Sequence, residues 1–218
     1  MLRALFEKTG DAIYISHLDL MRVFQRAFAR ADLRLTHTQG YNPRPSVSIA
    51  MPLSLGVASC CELLDFELDG QTLSCVQIRD RLNEKLIPGV RVLEVYENGS
   101  KIRDLSLLRC ALTLEYDGGV TDEMVDAIRS LFARDSLTVT KKGKNGPTQQ
   151  DIIPMIRGLE IRAGEREIVL EALICCQNPS LNPMQLHEAI CVYLPQWKPD
   201  FAKCMRLEIY DADEKVFR

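Results

Sequence analysis

The chain opens with a short apolar run, Leu2–Phe6, which predicts a strand, and the polar Lys8-Thr9-Gly10-Asp11 after it predicts a turn. From Ser16 to about Ala31 the spacing becomes helical. Leu20, Met21, Phe24, Ala27, Phe28 and Ala31 share one face, while Arg22, Arg26 and Arg30 recur every fourth residue on another. Ser16 is a fitting N-cap, and Asp19 stands at capping-box spacing from it, with Asp in place of Glu. Leu33–Thr38 alternates apolar and polar and predicts a strand. The segment Gln39-Gly40-Tyr41-Asn42-Pro43-Arg44-Pro45 then predicts an irregular loop, because two prolines and a glycine oppose regular structure. Ser46–Met51 and Cys61–Leu68 predict strands. Leu73–Leu86 predicts a helix stopped by Pro88-Gly89, and Val90–Tyr96 a closing strand. The order is β-α-β-β-α-β, the ferredoxin-like arrangement.

After the polar stretch Glu97–Asp104 the order repeats. Leu107–Tyr116 predicts a strand, Thr121–Ala133 a helix and Ser136–Lys142 a strand, followed by a loop over Lys142–Gln150. Asp151–Ile156 and Gly158–Ile161 predict short extended pieces. Ile168–Cys175 predicts a strand, Pro183–Tyr193 a helix and Arg206–Asp211 the last strand. The pattern repeats rather than the letters. The fold class expected is therefore α+β, with two tandem ferredoxin-like (βαββαβ) units built on antiparallel sheets. The units span 1–98 and 105–218, either apart or packed as one compact domain. The loops Gln39–Pro45 and Lys142–Gln150 leave equivalent strands in this scheme.

Composition narrows the function classes. The 218 residues are 46% hydrophobic and 26% charged, as in ordinary folded proteins. No apolar run approaches the ~20 residues that span a bilayer. Arg3, Glu7 and Lys8 break up any signal-peptide core, so a cytoplasmic protein without a membrane partner is expected. The net charge of −3 excludes a global basic footprint, and nucleic-acid binding would need a local patch. The eight cysteines form no C-x-x-C pair. Zinc-ribbon and iron–sulfur spacings are missing, and neither a metal nor another cofactor is expected. The pairs Cys60-Cys61 and Cys175-Cys176 sit in or beside strand-like runs, where neighbours face opposite ways; they read as reduced, small apolar fillers. Phosphate-binding glycine loops are also absent.

The candidate chemistry concentrates near the N-terminus. His17 falls at the first position of the first helix, where the helix dipole disfavours a cation. A neutral imidazole there can serve as base or donor, or simply belong to the capping turn. Arg22 and Arg26, with Arg30 and Arg34, suit a phosphate-bearing ligand, or else form a solvated helix face. The loop combines a stackable ring in Tyr41, amides in Gln39 and Asn42, and cations in His37 and Arg44. Those are the parts of single-strand nucleic-acid recognition. Lys141, Lys142 and Lys144 form a second basic cluster, which as plainly serves solubility. Glu62 is expected to face the loop rather than the core, and His187 and Trp197 to be packing residues.

ISHLDLMRVFQRAFARADL, followed by TQGYNPRPSVSIAMPLSLGVASCCELLDFEL, resembles the radical-SAM-linked protein family, also called DUF2344. The likeness continues through KKGKNGPTQQDIIPMIRGLEI. The family pattern usually has Ser where this chain has Thr38, and often His where it has Arg44. The resemblance implies a partner, a radical SAM enzyme encoded nearby, and a gene neighbourhood that points to RNA or the ribosome. It implies no established activity. The chain lacks cluster-binding cysteines, so an accessory protein is expected, binding RNA or presenting substrate in tRNA or rRNA modification or processing. The alternatives are a metal-free RNA-processing enzyme using His17, and a scaffold that docks the radical SAM partner.

Overall fold

The computed structural model describes residues 1–70, 72–143 and 146–218, excluding the side chain of Lys142. The chain divides into two compact units, Met1–Ile102 with Arg218, and Arg103–Phe217. It is a mixed α+β fold with antiparallel pairing, and its described residues contain four α-helices. None of these helices is long and apolar enough to cross a membrane.

The first unit runs β1 (Leu2–Lys8), α1 (His17–Arg30), β2 (Val47–Ile49), β3 (Val57–Phe66), α2 (Cys75–Asn83) and β4 (Val90–Glu97). Its strands lie in the order β4-β1-β3-β2, each antiparallel to its neighbour. Each helix carries the chain over one intervening strand, as a crossover between parallel strands requires. The apolar stripe of α1 (Leu20, Phe24, Ala27, Phe28) and Ile78 and Leu82 of α2 pack on Ala4, Phe6, Leu64 and Phe66. Phe24 meets Phe6 edge-on with centroids 4.8 Å apart, and Phe28 meets Phe66 at 4.9 Å. Burying each such side chain contributes about 1.5–3 kcal/mol. Gly89, at φ +83°, closes the far end: a Cβ there would stand 2.4 Å from the carbonyl oxygen of Thr9, whose N–H donates to the Gly89 carbonyl.

The helices start where side chains satisfy their free N–H groups. The Ser16 hydroxyl accepts from the Asp19 N–H at 3.2 Å and donates to the Asp19 carboxylate at 2.7 Å. On α2, Ser74 and Gln77 form a full capping box.

Residues 33–38 do not form the expected sheet strand. They make only single bridges, Leu35 to Leu68 and His37 to Pro45. The Ser46 N–H donates to the Thr36 carbonyl and the Thr38 N–H to the Arg44 carbonyl, both at 2.8 Å, so 36–46 is a small hairpin. Pro43, Pro45 and a Gly40 at φ +143° prevent a longer ladder.

The second unit runs β5 (Leu105–Glu115), α3 (Asp122–Phe132), β6 (Thr138–Gly143), β7 (Gly146–Asp151), β8 (Ile156–Ala163), β9 (Glu167–Cys175), α4 (Met184–Tyr193) and β10 (Phe201–Asp211). Its sheet order is β10-β5-β9-β8, again antiparallel throughout. The segment expected as the second sheet strand, 136–142, instead belongs to a separate β6–β7 hairpin. The sheet strand is β8, which was expected only as short extended pieces. Each unit thus inserts a hairpin between its first helix and the second strand of its sheet.

Candidate nucleic-acid interface

The hairpin at 36–46 presents its polar set outward. Tyr41 is 100% exposed, and His37, Gln39, Asn42 and Arg44 are exposed with it. Thr38 braces the turn: its hydroxyl accepts from the Arg44 N–H at 3.1 Å, beside the backbone bond between the same residues. A braced base under an exposed tip suits an aromatic that must stack on an incoming ring.

On α1 the arginine stripe does not act as a unit. Arg22 lies 2.8 Å from the Asp19 carboxylate. Arg30 donates to the Lys85 carbonyl at 2.7 Å and so ties α1 to the chain end of α2. Arg26 is exposed and makes no ion pair among the described residues. The Ser16 hydroxyl, then Arg22, holds the Asp19 carboxyl below the usual carboxylate range. His17 is half-buried at the first turn, and its Nδ1 is buried with no hydrogen-bond partner. Among the described residues, no hydrogen bond or ion pair joins His17, Arg22 or Arg26 to the hairpin.

Lys141, in the second unit, is part-buried. Its ammonium donates to the carbonyl and hydroxyl oxygens of Ser180 at 3.3 and 3.4 Å. It anchors β6 to the loop before α4, alongside Gln150, which donates to the same carbonyl at 3.2 Å. The Lys142 side chain and Lys144 lie outside the described residues.

Glu62 is 2% exposed, which corrects the expectation that it faces the loop. It stands opposite Phe6 across the β1–β3 ladder, and Lys8, at the end of β1, is buried completely. The Lys8 ammonium donates to the carbonyls of Ile13 (3.2 Å) and Ile15 (2.8 Å). A lysine beside Thr-Gly-Asp reads as a turn, so nothing local signals this role. His187 lies 3.3 Å from Cys191 on α4; burial pushes the imidazole down and the thiol up, so both are neutral near pH 7. Among the described residues, no three His, Cys, Asp or Glu side chains come together to hold a metal ion.

The chain belongs to a family described as an uncharacterized protein conserved in bacteria (DUF2344), which matches residues 1–183. No curated protein matches it. Among solved structures, a chain of a Cbf5–Nop10–Gar1 complex aligns with 95% of this chain and 48% of its own length. The TM-score is 0.51 and the identity 8%, a likeness of fold. This chain therefore spans about half the length of the structure it matches. A chain of an archaeal box H/ACA sRNP Nop10–Cbf5 complex aligns at TM-score 0.44 and 10% identity, covering 94% of this chain and 46% of that one. A protein of unknown function from Galdieria sulphuraria aligns at TM-score 0.27 and 10% identity, over 97% of each chain.

Proposed function

We propose that this protein is a non-catalytic accessory of a radical SAM enzyme that binds single-stranded RNA, built as two ferredoxin-like units on the plan of the two strand orders above. The observation that carries the reading is the hairpin at 36–46. Its fully exposed Tyr41 is flanked by Gln39, Asn42, His37 and Arg44, giving a ring to stack, amides to meet base edges and cations for phosphate. The likeness to a chain of a Cbf5–Nop10–Gar1 complex is one of fold and adds no activity. The radical SAM partner rests on the family resemblance.

The test is binding of a short labelled oligouridylate followed by anisotropy. Tyr41→Ala should weaken binding by about 1–3 kcal/mol, the usual worth of one base stacked on an aromatic ring. Tyr41→Phe should bind as wild type does. If wild type does not bind RNA at low salt, the reading fails.

A second reading has one observation in its favour, the buried and unpartnered Nδ1 of His17. As a general base, His17 would cleave RNA without a metal. His17→Ala would then abolish turnover and leave binding intact, and a wild-type protein that leaves labelled RNA whole disposes of the idea.

A further inference from the structure

A second exposed surface lies at the N-terminal end of α1, and it is apolar. Tyr14 is 68% exposed, Leu18 68% and Leu55 62%. They lie at one end of the unit for local reasons. The buried Lys8 ammonium draws the carbonyls of Ile13 and Ile15 inward, and Tyr14 stands between them. Leu18 lies four residues on, in the first turn of α1. The Gly56 N–H donates to the Ile13 carbonyl at 3.0 Å, which brings Leu55 to the same end of the unit. Large apolar side chains gathered in the open mark a contact surface.

The charges at its rim select the occupant. Asp11 is exposed in the turn before Tyr14, and Asp19 follows Leu18. RNA phosphates and an anionic membrane surface carry charge of one sign only, whereas the rim of this surface carries both. Asp19 is taken up by Arg22, so the charges left to a partner are Asp11 on one side and Arg26 on the other. Leu18 and Arg26 are eight residues apart on one helix, or about 12 Å.

We infer that this end of α1 is a docking surface for an amphipathic segment of a partner protein. Its apolar side chains cover Tyr14, Leu18 and Leu55, a carboxylate faces Arg26 and a cation faces Asp11. Three apolar anchors make a small interface of the transient class. The inference stands apart from RNA binding by the hairpin.

The test is selection from a random-peptide library displayed on phage, panned against the full-length chain. The selected peptides are then made with a fluorescent label and their binding measured by anisotropy. The expected consensus has apolar residues at helical spacing with an acidic residue toward one end. Leu18→Ser or Leu55→Ser should weaken these peptides about ten-fold or more, the effect of losing an interface anchor. Arg26→Glu should weaken them too, and by less at high salt. Oligouridylate binding should not change in Leu18→Ser. Three results overturn the inference: peptides that bind Leu18→Ser and Leu55→Ser as tightly as wild type, a wild-type dimer in sedimentation that Leu18→Ser dissociates, or loss of oligouridylate binding in Leu18→Ser. The first denies the surface, the second gives it to another copy of this chain, and the third gives it to RNA. Failure of oligouridylate to bind wild type would instead remove the RNA reading and leave this one standing.

Discussion

Lys8 shows how one residue organises the N-terminal end of the first unit. A buried ammonium is tolerated only when its donors are used, and the Ile13 and Ile15 carbonyls take two of the three. Lys8→Met keeps the length of the side chain and removes the donors. It should destabilise the protein by about 2–4 kcal/mol in urea denaturation, because the Ile15 carbonyl loses the ammonium and the Ile13 carbonyl keeps only the Gly56 N–H. An unchanged denaturation midpoint would mean that the turn holds itself. Residues of this kind are the ones least legible in a sequence. Leu20, Phe24 and Phe28 announce themselves by spacing, since burial repeats with the helix. Lys8 does not, because its burial depends on how β1, the turn after it and β3 close in three dimensions. Arg22 and Arg30 illustrate the converse. Their spacing is visible, but their engagement with Asp19 and the Lys85 carbonyl is not.

At the scale of elements, both misread strands come from one feature, a hairpin inserted before the second strand of each sheet. The alternation in Leu33–Thr38 and Ser136–Lys142 is real, and it predicts pairing without naming the partner. In the first unit the partner is the chain's own return through Pro45; in the second it is β7. Asp151 fixes the base of the β6–β7 hairpin. Its carboxylate accepts from the Leu137 N–H at 2.9 Å and the Ile153 N–H at 3.2 Å. The Leu137 amide above all holds this carboxyl below the usual carboxylate range. A depressed folded pKa means that the stabilisation is complete above the unfolded value, about 3.9, and is lost as pH falls through the lower folded one. Asp151→Asn removes that titration. Its unfolding free energy should therefore fall less steeply than that of wild type below about pH 4, measured by urea denaturation at a series of pH values. Parallel acid limbs would show that Asp151 carries none of the acid sensitivity.

At the scale of the molecule, the mixed α+β class is legible because segments of helical period alternate along the chain with segments of strand period. The candidate surfaces are less so. Tyr41 stands out in its loop, whereas Tyr14, Leu18 and Leu55 look like core until their exposure is seen. If the hairpin binds RNA as proposed, the net charge of −3 sets the manner of binding. A chain with more acids than bases has no broad field to hold a polyanion, so on that reading the electrostatic contact of the hairpin comes from Arg44. Each phosphate neutralised on a single strand contributes about −0.7 to the slope of log K against log salt. With Arg44 as the one arginine or lysine of the hairpin the expected slope is about −0.7. Arg44→Ala should reduce its magnitude by roughly 0.7, while Tyr41→Ala should lower the affinity and leave the slope alone, because stacking releases no counterions. Titrations of oligouridylate between about 50 and 200 mM salt measure both. A slope near −5 for wild type would require a wide basic face, and would move the interface away from the hairpin to a part of the molecule that its charges do not now suggest.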